Sequence, residues 1–583
     1  MVDAATIEAI DRDLRRAELI GAYDKAKACL DAGDDHPRLR YLSVLALARA
    51  GATAKAATQY RALRLNRAGD VDGASLWARI RKDAALSADP ARRPRLLARA
   101  ARSYFQVYRR TQDAFPGINA ATLSVLSGDL AAGCEIATSL LSGPALQDAP
   151  NYYAAATRAE ALVILGRWDE AAAALCHARE RAGEDYGALS TTRCQLAILL
   201  PALRVEADRA RDLLAILAPP VVAHFSADDI DPDDEHDLAG KVEASLREAG
   251  VGFGIGTLWT TGALVMAEQV LTRGAELHLV LPLSEADYLS YFGNRSPPEE
   301  VARRRSCLAQ AATVTSATSD GDFPDPDLVA YAALIARGLA RTRARRLSTE
   351  CLAIEVRRES ADGTDAAGRP EAGRVVPIGQ ARVHPPRLPA PLDPMPPTRE
   401  MRAFLFADVY RFSSIPESSL PGFWCEFMAG IGEVMDGFAP QILYRNTWGD
   451  AFFLVVAEIE AAAELALAIQ EKAAGMRRAR RFAPELRIGL HHGPVFRGWD
   501  PIRGVTSYFG TQVSRAARVE PIAPPGAVYV TEPFAAILAT TEARCFEAEY
   551  VGRMPLPKKY GEHRMYRLAR RWRDAPGTAP VTA

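Results

Sequence analysis

The chain has 583 residues, with 71 Lys and Arg against 72 Asp and Glu for a net charge of −1, and an isoelectric point near 6.8. That length calls for several domains rather than one, and the balanced charge gives no electrostatic case for nucleic acid or an anionic membrane as partner. No apolar run approaches the ~20 residues that span a bilayer, and the charged first turns (Asp3, Glu8, Asp11, Arg12, Asp13) predict no secretory signal. The eight cysteines include no Cys-x-x-Cys, so reduced, buried thiols in a cytoplasmic protein are expected.

Residues 1–217 are rich in Ala and Leu at helical spacing, with almost no strand signal. A unit recurs in which an apolar helix end meets a glycine, with a small residue five positions on: Gly21 to Ala26, Gly51 to Ala56, Gly128 to Gly133 and Gly166 to Ala171. In Leu165-Gly166-Arg167-Trp168-Asp169-Glu170-Ala171 it resembles the turn and second helix of a tetratricopeptide repeat, where small residues allow close helix packing. The spacing is irregular, so a divergent helical repeat array is expected, with a plain bundle as the alternative. Either offers a regulatory surface for a protein partner rather than chemistry.

From Pro219 the pattern becomes alternating strands and helices. Val221–Phe225, Val251–Gly256 and Leu277–Pro282 read as strands, and Lys241–Ala249 and Thr261–Arg273 as helices. This predicts a Rossmann-like parallel α/β domain over 218–380, with Cys351–Val356 and Arg374–Ile378 as late strands and Ser360–Gly373 as a flexible excursion. The order of strand, Gly-rich turn, helix and Gly274-Ala275-Glu276-Leu277-His278-Leu279-Val280-Leu281-Pro282 resembles the nucleotide-sensor family related to lysine decarboxylase-like proteins. Gly254-x-Gly256 at a strand end is then a candidate site for a small nucleotide ligand, with close strand–helix packing as the competing reading. The basic stretches Arg341–Arg346 and Arg477–Arg481 read as solvated helix faces.

Seven prolines from Pro385 to Pro397 predict a semi-rigid polyproline spacer within a linker over 381–400. Beyond it, acidic residues sit at the ends of short apolar strands: Asp408 in Phe404-Leu405-Phe406-Ala407-Asp408-Val409, and Asp450 in Asn446-Thr447-Trp448-Gly449-Asp450-Ala451-Phe452-Phe453. Then come Leu486-Arg487-Ile488-Gly489-Leu490-His491-His492-Gly493, Phe509-Gly510-Thr511-Gln512-Val513-Ser514-Arg515-Ala516-Ala517-Arg518 and the basic pair Lys558-Lys559. Each piece alone is weak, and the Gly449-Asp450 dipeptide by itself signals only a hairpin. In this order the set resembles the catalytic domain of class III nucleotidyl cyclases, the adenylate and guanylate cyclases, over about Arg402–Arg570. It implies a ferredoxin-like α+β domain at 401–570, followed by a disordered tail at 571–583.

Paired carboxylates of this kind suit hard cations. Two metal ions so held can acidify a ribose 3′-hydroxyl and clamp a triphosphate for in-line attack on the α-phosphorus. The resemblance implies two Mg²⁺ or Mn²⁺ ions on Asp408, Val409 and Asp450. It implies Arg518, with Ser514 beside it, as the catalytic group where charge grows on the α-phosphate. It further implies Arg487, Lys558 and Phe412 as substrate-binding residues, with Lys559 in place of Lys558 if the alignment slips by one. Asn446 and Ser507 stand at the two base-reading positions, where adenylate cyclases usually carry Lys and Asp or Thr. Ser514 replaces the family's Asn, and Arg411 stands where a glycine usually follows the first metal aspartate.

The expected protein is therefore a soluble nucleotidyl cyclase of intracellular signalling, gated by its upstream domains. It would convert a nucleoside triphosphate, ATP by default, to the 3′,5′-cyclic nucleotide and pyrophosphate as a homodimer joined through the cyclase domain. The alternatives are a GTP or pyrimidine substrate, or a catalytically weak nucleotide-binding scaffold.

Overall fold

The computed structural model describes residues 4–65, 71–143, 146, 149–318, 324–358, 374–378, 383–384, 398–478, 484–541, 545–558 and 560–571. The expected excursion at Ser360–Gly373, the proline spacer, Lys559 and the tail beyond 571 lie outside these.

The N-terminal part is helical throughout its described length. Three of the four recurring glycines turn one helix into the next, because their left-handed φ values carry no Cβ penalty. Gly51 (φ +82°) joins Pro37–Arg49 to Thr53–Ala62, Gly128 (φ +97°) joins Ala114–Leu126 to Leu130–Ser142, and Gly166 (φ +70°) joins Tyr152–Ile164 to Trp168–Ala182. Gly21 differs. It lies inside Leu19–Asp31, and the turn before that helix falls on Ala17, at φ +58°. A buried polar chain crosses the helical core: Lys82 donates to Gln195 at 2.9 Å and to Asn119 at 3.4 Å, while Gln195 and Thr122 donate to Glu160. Burial pushes the Lys82 amine down and the Glu160 carboxyl up.

The middle part is a parallel sheet of β1 (Val221–Ala227), β2 (Val251–Gly256), β3 (Glu276–Leu281), β4 (Thr313–Ser316), β5 (Cys351–Arg358) and β6 (Arg374–Ile378), in the order β4-β3-β2-β1-β5-β6. Its glycine pair is filled by packing. A Cβ on Gly254 would lie 2.6 Å from Val270, and one on Gly256 2.4 Å from Phe225. The N-terminus of the Thr261–Thr272 helix is also taken, by the Asp229 carboxylate, which accepts the Thr261 N–H at 2.8 Å. Close packing, against the helix at Gly254 and against β1 at Gly256, thus occupies the space of the expected nucleotide cradle.

The C-terminal sheet contains β7 (Thr398–Val409), β8 (Ile442–Trp448), β9 (Ala451–Val456), β10 (Leu486–Asp500), β11 (Val505–Phe509), β12 (Val528–Thr531), β13 (Phe546–Pro555) and β14 (Glu562–Arg570). Their order is β8-β9-β7-β10-β12-β14-β13, with β11 folded back on β10. Only β10 and β12 run parallel among these pairs. β7 starts at Thr398, ahead of the expected domain start at 401.

The three parts pack directly on one another through the Pro326–Leu347 helix. Tyr331 donates to the His492 carbonyl at 2.6 Å, and a Cβ on Gly338 would lie 2.0 Å from the Ala536 carbonyl oxygen. The stretch Arg341–Arg346 on this helix is therefore not a solvated face. Arg343, 6% exposed, donates to the carbonyls of Arg16 and Ala17 and pairs with Glu18 and Glu276. Arg341 and Arg345 donate to the Thr540 and Ala539 carbonyls, which the Glu532–Leu538 helix leaves unpaired at its end. Asp24 of the second helix accepts from Tyr550 at 2.5 Å and Arg553 at 3.1 Å on β13.

A cavity of about 1040 Å³ lies at this junction, lined by Glu18, His278, Arg343, Glu532 and Arg564 among others. Because Gly338 sets the closest approach, Gly338→Val should destabilise the chain by about 1–3 kcal/mol through overpacking, read as an earlier denaturation midpoint.

All eight cysteines are free. Cys307 alone is buried, and Cys176, Cys194 and Cys425 are exposed, so the expectation of buried thiols holds for one. Among the described residues no helix is long and apolar enough to cross a membrane.

Candidate active site

Antiparallel register brings the two aspartates together. Phe452 faces Ala407 across β9 and β7, so the turn at Gly449-Asp450 comes beside Asp408. Gly449, at φ +66°, makes that turn, and Phe406 stacks on Phe453 at 4.4 Å to hold the two strands. On the other side, Arg487 of β10 sits directly opposite Asp408. Its guanidinium donates to Asp408 Oδ2 at 2.5 Å, and its Nε lies 2.8 Å from Glu520 Oε1.

Glu520 carries no motif signal and joins the site only in the fold. Gly489 admits it, since a Cβ there would stand 2.5 Å from the Glu520 nitrogen. Two carboxylates, Asp408 and Glu520, thus flank one guanidinium, and Asp450 adds a third beside Asp408. Burial first, with Asp408 and Asp450 adding and Arg487 opposing, pushes the Glu520 carboxyl up to about 7. Burial and then Asp408 also raise Asp450. Excess negative charge among partly buried hard oxygens matches the donor set of Mg²⁺ or Mn²⁺. Val409 is 1% exposed, and its side chain has no ligand atom, so only its carbonyl could join such a set.

A second group forms around the short Thr511–Ala516 helix. Ser514 lies on it, and Arg518 follows one turn later with its guanidinium carbon 5.9 Å from the Tyr560 ring centroid. The Arg518 Nε is buried without a hydrogen-bond partner. Lys558, exposed at φ +61°, belongs to the same β13–β14 turn as Tyr560. Asn446, half-buried on β8, accepts from Arg503, a residue at the β10–β11 tip. Ser507 lies opposite Gly498 on β11.

Phe412 packs against Phe423 at 5.1 Å, and Arg411 adopts a left-handed φ of +58° with its guanidinium 5.1 Å from the Tyr410 centroid. Among the described residues, no hydrogen bond, ion pair or ring contact links Arg518, Asn446 or Lys558 to either aspartate.

The histidine pair of the β10 motif is structural. His491 is wholly buried between Thr531 Oγ1 at 2.8 Å and Gln512 Oε1 at 2.9 Å, and burial holds its basicity well below the ordinary value. One trio elsewhere, Glu18, Glu276 and His278, has metal-like spacing among the described residues, but Arg343 already pairs with both of its carboxylates.

Residues 396–570 match the family model "Adenylate and Guanylate cyclase catalytic domain", and 16–124 match "Tetratricopeptide Repeats-Sensor". No curated protein matches the chain. Similar solved structures include the guanylate cyclase domain of a rhodopsin–guanylyl cyclase from Catenaria anguillulae in complex with GTP (20% identity, 30% of this chain, 100% of that one, TM-score 0.27). The adenylyl cyclase CyaB from P. aeruginosa is another, at 15% identity over 30% of this chain and 98% of that one, TM-score 0.27. Residues 396–570 are thus an adenylate and guanylate cyclase catalytic domain, preceded by a tetratricopeptide-type sensor region in the N-terminal helices.

Proposed function

We propose that the chain is a divalent-metal-dependent nucleotidyl cyclase that forms a 3′,5′-cyclic nucleotide and pyrophosphate from a nucleoside triphosphate. The observation that carries this is the approach of Asp450 to Asp408, beside an Arg487 guanidinium that bonds Asp408 and pairs with Glu520.

Asp408, Asp450 and the Val409 carbonyl would hold the metal, which supplies Lewis acidity toward the 3′-hydroxyl and the triphosphate. Arg487, beside both aspartates, is the basic group that would meet phosphate oxygens. Arg518, whose Nε has no partner, stabilises the charge that grows on the α-phosphate. Ser514 and Lys558 bind alongside it, and Phe412 shapes the loop after β7. In this reading the aspartates of each site come from one copy of the chain and Arg518 from the other. The helical and α/β parts, packed on the cyclase sheet, give it a regulatory input.

Pyrophosphate release should vanish on chelation and return with Mg²⁺ or Mn²⁺. Metal-independent release would contradict the proposal.

A further inference from the structure

The sequence leaves base choice open, because Asn446 carries both an amide donor and an acceptor and the Ser507 hydroxyl does either. The structure removes that freedom at Asn446. The β10–β11 tip is pre-set by Asp500, whose carboxylate accepts the N–H of Ile502 at 2.9 Å and of Arg503 at 3.2 Å. Gly504, at φ +66°, returns its own N–H to the Asp500 carbonyl at 2.8 Å. The Arg503 guanidinium is thereby brought onto β8. One arm donates to Tyr444 Oη and the other to Asn446 Oδ1 at 3.0 Å, with the guanidinium carbon 5.7 Å from the Tyr444 ring centroid. Tyr444 and Asn446, two residues apart on one strand, share a face and so take both arms of the planar fork.

An amide whose oxygen is held by a cation turns its –NH₂ outward. Arginine itself has no acceptor. The geometry points to Arg503 as a specificity-determining residue: with Asn446 it forms a donor-only reader that selects triphosphates of keto bases, guanine and uracil, over those of adenine and cytosine. This rests on the nucleotidyl cyclase reading above. Guanine O6 accepts, as does the O4 of uracil, whereas the amino groups of adenine and cytosine donate. Two donors facing each other leave both unpaired, and a site built on hydrogen bonds rejects such a base far more than an apolar pocket does.

Two measurements on the full chain test this. The first is kcat/KM for ATP, GTP, UTP and CTP with Mn²⁺, for the wild type, Arg503→Ala and Arg503→Lys. The second is competition binding of the four 3′-deoxy triphosphates, which lack the attacking hydroxyl and so rank the bases without turnover. GTP or UTP should lead ATP and CTP by about ten-fold or more in both. Arg503→Ala should bring the keto-to-amino ratio toward one, and Arg503→Lys, which keeps the charge but loses the fork, should recover only part of it.

Arg503 is exposed, so these variants should keep the wild-type melting temperature. Preference for ATP or CTP, or a ratio unmoved by Arg503→Ala, would overturn the inference. Keto-ranked binding without any cyclic product would overturn the cyclase reading while supporting the base reader.

Discussion

Asp408→Asn and Asp450→Asn should each lower kcat by about 100-fold or more, with the chain still folded and dimeric. On the proposed function, neutralising either carboxylate removes a metal ligand and thins a crowded acidic group. In the absence of metal, burial and Asp408 together already hold the Asp450 carboxyl above its usual range. Folding should therefore tolerate the substitutions, since each relieves repulsion between the two carboxylates. The check is steady-state kinetics alongside a thermal melt. Wild-type kcat in either variant, in a verified dimer, contradicts the assignment of these residues to the metal.

Mixing Asp408→Asn protein with Arg518→Ala protein should restore activity that neither has alone. Random exchange of subunits makes about half the dimers mixed, and each mixed dimer contains one intact site of two, so roughly a quarter of wild-type activity is expected. Arg518 packs by the Tyr560 ring, whereas Asp408 bonds Arg487, which also pairs with Glu520. Subunit exchange demonstrated without recovery would place each site within one chain, or make Arg518 structural.

What could be read in the sequence depended on the range of the forces involved. Strands β1, β2 and β3 were legible because runs such as Val251–Gly256 are short, apolar and bounded by turn residues. Asp408 and Asp450 were legible through their place in an ordered set of motifs, since a strand end or a Gly-Asp turn alone signals only local structure. Glu520 and Arg503 were not. Glu520 reaches the site only because Gly489, on a strand distant in sequence, leaves room for it, and Arg503 finds Asn446 only after a hairpin folds back.

The Arg341–Arg346 stretch misled for the same reason. Charge density suggests solvent, but the carbonyls and carboxylates that bury Arg343 come from the first helices and from β3. Gly21 shows the converse, a local turn residue overridden by the helix around it while Ala17 takes the strained position.

Cyclisation of a nucleoside triphosphate is read from the identity of the product. The full-length protein is incubated with ATP, GTP, UTP and CTP in Mg²⁺ and in Mn²⁺, and the reactions are resolved by mass spectrometry. The expected products are a 3′,5′-cyclic monophosphate and equimolar pyrophosphate, both absent from the Asp408→Asn control. Formation of only nucleoside diphosphate and orthophosphate, or no conversion of any triphosphate by the verified dimer, would contradict cyclisation.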